Sequence, residues 1–96
     1  MEYRSWVAVE DMPFSDEPKW LALIRHLDKT HGDLGPIASW DDETTMVIVL
    51  ADDQPDRATA ADCATRVVRD ALQATGLSSR AVRLLEIEVA EEDVAA

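Results

Sequence analysis

The segment TMVIVLA, Thr45–Ala51, is apolar at almost every position. A strand with one solvated face alternates apolar and polar residues; a strand covered on both faces does not. Any fold for this chain must therefore account for both sides of this one strand. The residues before it suggest how it is paired. Ile37–Trp40 reads as a first strand, the acidic DDET as a short loop, and Thr45–Ala51 as the second strand of a hairpin.

The rest of the chain supplies the remaining elements. Ser5–Glu10, SWVAVE, reads as a strand with Val7 and Val9 on one parity and Trp6, Ala8 and Glu10 on the other. Pro13 breaks it. Ser15 or Asp16 then caps a helix whose first turn holds Glu17 and Pro18. Trp20, Leu23, Ile24 and Leu27 form one stripe on that helix, widened by Leu21, and Gly32 after His31 is its expected stop. A second helix, about Arg57–Thr75, is expected behind an Asp56 cap, with Ala60, Ala64, Val67, Val68, Ala71 and Leu72 as its apolar side. Gly76 followed by Leu77 matches a Schellman ending. Val82–Val89 is the last strand, and AEEDVAA is expected to be a frayed acidic tail. A length of 96 residues with no repeat or linker suits one domain.

The element order is β-α-β-β-α-β. With right-handed crossovers this predicts an α+β, ferredoxin-like sandwich: a four-stranded antiparallel sheet in the order 4-1-3-2, with both helices on one face. The pattern predicts an architecture and implies no function.

The predicted sheet has one face without helices. A hairpin centred between Asp42 and Glu43 pairs Trp40 with Thr45, Ala38 with Val47, and Ile37 with Ile48. That register sends Ile37, Met46, Ile48 and Leu50 to the core, beside Val7, Val9, Leu85, Ile87 and Val89. It leaves Ala38, Trp40, Thr45, Val47 and Val49 on the helix-free face with Trp6 and Ala8, flanked by Glu10, Leu84, Glu86 and Glu88. A slip of one residue would exchange the hairpin's faces but leave the strand apolar on both. An exposed apolar patch of this kind marks an interaction site, and a sheet-to-sheet homodimer is the expected use.

Charge narrows the function further. Twenty acidic residues against nine basic ones give a formal net charge of −11. Nucleic acid is disfavoured as a partner because its phosphates need Lys and Arg, and anionic membranes are disfavoured for the same reason. A basic protein partner or a cationic ligand suits the charge. The stacking of a base on Trp6 and Trp40 is opposed by the neighbouring glutamates. The amino-terminal residues lack the pattern of a signal peptide, and there is no long apolar run, so a soluble cytoplasmic protein is expected. The Ala-, Asp- and Arg-rich, Lys-poor usage resembles that of high-GC bacterial genomes.

Residues with chemical potential read as structural. Cys63 is the only cysteine and lies in an Ala-rich helix, as a small buried hydrophobe would. His26 and His31 are five apart, about 140° around a helix, which does not align two metal ligands. The acidic groups Asp41–Glu43 and Asp52, Asp53 and Asp56 suit turns and a helix cap and lack the calcium-loop pattern. The isolated glycines of THGDLG and ATGL are not a phosphate loop. No catalytic residue, cofactor or metal is expected. The main expectation is a small non-catalytic interaction or regulatory module. The alternative is a ligand-binding or enzymatic domain, whose architecture resembles that of the small dimeric α/β-barrel monooxygenases; that resemblance transfers no active-site residue.

Overall fold

Local signals establish the two helices. In the computed structural model, which describes residues 1–90, α1 spans Glu17–His31 and α2 spans Arg57–Ala74. The acidic tail expected from residue 90 lies, apart from Ala90, outside the described residues. The carboxylate of Asp56 accepts the Thr59 backbone N–H at 2.8 Å, which satisfies one of the donors left free at the start of α2. At its other end Leu77 N–H donates to the Leu72 carbonyl at 2.7 Å and Gly76 N–H to Gln73 at 3.2 Å. Gly76 has φ 76, and Leu77 is buried, completing the Schellman motif. The end of α1 differs from expectation. Gly32 keeps a right-handed helical conformation and opens a 3-10 turn, Gly32–Leu34; the left-handed stop is Gly35, at φ 60. The added turn buries Leu34.

Four strands form one sheet: β1 (Glu2–Val9), β2 (Ile37–Trp40), β3 (Met46–Asp53) and β4 (Val82–Val89). Their order is β2-β3-β1-β4, with every neighbouring pair antiparallel. This is the expected 4-1-3-2 arrangement of a ferredoxin-like sandwich. Both helices pack on the same side. Leu23 and Leu27 of α1 and Ala64, Val67, Val68, Ala71 and Leu72 of α2 share one core with Val7, Val9, Met46, Ile48 and Leu50. All six residues expected on the apolar side of α2 are buried.

Two strand registers differ from the sequence reading. Trp40 pairs with Met46, Ala38 with Ile48 and Ile37 with Val49. The hairpin loop is one residue longer than expected. Asp42 stabilises it, accepting the backbone N–H groups of Thr44 and Thr45, each at 2.9 Å. This Asx-type turn absorbs the extra residue, and the slip sends Trp40 and Ala38 to the core side and Ile37 to the open side. Thr45 precedes β3 and is buried in the turn. In β4 a bulge opposite Trp6 and Val7 leaves Leu85 outside the pairing. Leu84 consequently faces Val7 and packs on the core, while Leu85 is 39% exposed. Residues after the bulge keep their expected faces, so Glu86 stands opposite Trp6 on the open side; residues before it are exchanged, Leu84 inward and Arg83 outward.

Candidate functional site

The helix-free face is assembled from cross-strand rows. One row runs Ile37, Val49, Trp6, Glu86 across β2, β3, β1 and β4. The next runs Ser39, Val47, Ala8, Arg83, and a third joins Ala51, Arg4 and Glu88. Arg83 donates to Glu10 at 2.9 Å, placing that pair at one corner. The apolar centre is therefore composed of Trp6, Ala8, Ile37, Val47 and Val49, with acids toward β4.

The face is partly self-covered. Ala8 is 0% exposed and Val47 only 6%. Ala8 is small and lies between Trp6 and Glu10 along its strand and between Val47 and Arg83 across it, so larger neighbours shield it. Exposure concentrates in the first row: Ile37 is 63% exposed, and Trp6 and Val49 are half-buried. Of the ten residues expected on this face, Trp6, Ala8, Glu10, Val47, Val49 and Glu86 are brought together there. Ala38, Trp40 and Leu84 are not; they pack against the core. Thr45 lies in the turn. Ile37, Ser39, Ala51, Arg4 and Arg83 are the members of these rows that sequence reasoning missed.

A second cluster lies at the end of the sheet where β1 leads into α1. Trp40 comes from β2, Trp20 from the first turns of α1, and Phe14 from the loop between β1 and α1. Phe14 lies nearly parallel to Trp20, with ring centres 5.7 Å apart, and edge-on to Trp40 at 4.9 Å. The two indoles meet at 4.9 Å. Each indole N–H is tied to a backbone carbonyl: Trp20 to Phe14 at 2.8 Å and Trp40 to Met12 at 2.9 Å. The loops themselves are laced together, Met12 N–H to Thr44 at 2.8 Å and Phe14 N–H to Glu43 at 3.3 Å. Trp20 was legible only as a core-stripe residue. The available clue to the rest was a large aromatic residue, Phe14, between Pro13 and the helix cap.

The remaining candidates have structural partners. The Cys63 thiol donates to the Asp52 carboxylate at 3.2 Å. Burial, and then this carboxylate, push its pKa up, so it stays a weakly reactive thiol. Asp52 also accepts the Gln54 side-chain amide at 2.6 Å. The Asp42 carboxyl is held below the usual carboxylate range by the Thr44 N–H, and the Asp56 carboxyl by the Thr59 N–H. Among the described residues, no group of three or more His, Cys, Asp or Glu side chains is placed to hold a metal ion. Among those same residues no helix is long and apolar enough to cross a membrane.

The fold and this site define a class: an α+β sandwich of ferredoxin-like topology with an open, partly apolar sheet face. No protein-family model, curated protein or solved structure matches the chain.

Proposed function

We propose that this chain is a small non-catalytic interaction module that pairs with a second copy of itself, helix-free face against helix-free face. The observation that supports the reading is the row Ile37–Val49–Trp6, which sets three large apolar residues side by side where no helix covers them. Contiguous exposed apolar surface of this kind is characteristic of protein interfaces.

Charge limits how a second copy can sit, since Arg4 and Arg83 offset only part of the acid that this face carries at Glu2, Glu10, Asp53, Glu86 and Glu88. In a chain of net charge −11, most surfaces repel their own kind. This face carries two arginines, Arg4 and Arg83, among its glutamates. A two-fold axis parallel to the strands stacks β4 of one protomer over β2 of the other. Each row then meets the same row of the partner, so Glu86 meets Ile37 and Arg83 meets Ser39, and the glutamates of β4 do not face each other.

Size sets the expected strength. Strand spacing and rise give a face of about 19 Å by about 26 Å. A standard interface removes about 800 Å² from each partner. The whole face must therefore take part, and the dimer is expected to dissociate on dilution.

The alternative enzymatic reading has less support. Trp6 and Trp40 stand on opposite faces of the sheet, so no single pocket is lined by both. The space between sheet and helices is filled by Met12, Leu23, Leu27, Met46, Ile48 and Leu72.

Light scattering on the Ile37→Asp variant tests the proposal. Ile37 is exposed, so the monomer fold tolerates the change. The expected result is a dimer for the parent chain and a folded monomer for the variant. A parent chain that is monomeric throughout, or a variant that remains equally dimeric, contradicts it.

A further inference from the structure

We infer that the outer face of Phe14, with Glu43 beside it, receives the guanidinium group of an arginine in a basic protein segment. Phe14 is 59% exposed although its inner side is packed on two tryptophans. Its ring borders an open depression of about 320 Å³, lined by Phe14, Ser15 and Glu43. That volume accommodates one long side chain, not a large cofactor.

The depression is prearranged. The Phe14 N–H to Glu43 carbonyl bond and the Met12 N–H to Thr44 bond hold the two loops side by side. Asp42 fixes the hairpin loop from within through Thr44 and Thr45. Trp20 and Trp40 prevent the Phe14 ring from collapsing inward. A site whose ring and loop backbone are already in place loses less freedom on binding.

Its electrostatics select a cation. The face of an aromatic ring is negative and attracts a cation held within about 6 Å of its centre. Among the described residues, no Lys, Arg or amino-terminal nitrogen lies within 4.0 Å of the Glu43 carboxylate. Asp41 and Asp42 adjoin it in sequence, and the nearby Asp16 already pairs with Lys19 at 3.1 Å. A guanidinium fits better than an ammonium because it is planar, weakly hydrated, and can stack on a ring while forking to a carboxylate. The net charge of −11 would speed the approach of a basic segment. The site is separate from the open sheet face, since Trp40 behind it lies on the helix side.

The chain reports on this binding itself. In a ¹⁵N-labelled sample the indole N–H signals of Trp20 and Trp40 lie behind Phe14, while that of Trp6 belongs to the opposite face. Titration with a short arginine-containing peptide is expected to shift Trp20 and Trp40 saturably and to leave Trp6 unmoved. Phe14→Ala and Glu43→Gln are each expected to weaken the peptide by about 2- to 5-fold, the range for a single exposed cation–π or ion-pair contact. Glu43 is exposed, so Glu43→Gln tests the site without burdening the fold. A matched lysine peptide is expected to bind less tightly. The inference is overturned if no signal saturates, if Trp6 moves with the others, if both variants bind like the parent, or if the lysine peptide binds equally well.

Discussion

Trp6 and Trp40 stand on opposite faces of one sheet: Trp6 pairs with Val49 on the open side, and Trp40 with Met46 on the side covered by the helices. Their substitutions should separate accordingly. Trp40→Ala removes the indole bond to Met12 and the packing on Phe14 and Trp20, and is expected to cost about 3 kcal/mol, toward the lower end for large aromatic truncations. Trp6→Ala is expected to cost about 1 kcal/mol in the monomer and to act mainly on association. Urea unfolding at low protein concentration, followed by circular dichroism, distinguishes them. Equal losses would contradict the assignment of faces.

The bulge in β4 makes a sharper contrast between adjacent residues. Leu84 packs on the core and Leu85 does not. Leu84→Ala is expected to cost about 2 kcal/mol and Leu85→Ala about 0.5 kcal/mol. The reverse order in chemical denaturation would place the bulge elsewhere.

Acid should weaken the fold through Asp42 and Asp56. Backbone N–H groups, from Thr44 and Thr59 respectively, hold both carboxyls below their ordinary value of 3.8. In the unfolded chain each group takes up its proton first as pH falls, so each contribution is complete above the ordinary value. It is lost as pH drops through the lower folded value. The Asp42→Asn, Asp56→Asn double variant is expected to show a lower melting temperature at neutral pH and a shallower decline below pH 3.8. Melting curves that run parallel to those of the parent chain across that range would rule out this linkage.

Cys63 should be slow to react. Burial and the Asp52 carboxylate both disfavour its thiolate, and the thiolate is the reactive form. A colorimetric disulfide reagent at neutral pH is expected to modify it more slowly in the folded chain than in urea, and faster in the Asp52→Asn variant than in the parent. An unchanged rate in that variant would remove Asp52 from the explanation.

What the sequence reveals and conceals follows from the range of each interaction. The α2 stripe, its Asp56 cap and the Gly76–Leu77 ending depend on residues a few positions apart, and each was legible. The order of strands followed from the order of elements. The hairpin register depended on how Asp42 folds back on Thr44 and Thr45, a loop-length choice that alternation alone does not encode. One residue there exchanged Ile37 for Trp40 on the open face. The β4 bulge moved Leu84 inward for a similar reason, because it is defined by pairing with β1 rather than by its own sequence. The cluster of Phe14, Trp20 and Trp40 joins three elements, so no local pattern announced it. The two sides of Thr45–Ala51 are covered unequally. The domain itself covers Met46, Ile48 and Leu50, and also Val47; Val49 beside Ile37 and Trp6 remains half-open.

Sedimentation equilibrium of the parent chain, across a wide concentration range and at two salt concentrations, decides whether the open sheet face pairs with a second copy. The expected result is a monomer–dimer equilibrium that shifts to dimer with concentration and is abolished by Ile37→Asp. A single species of monomer mass at every concentration would contradict it.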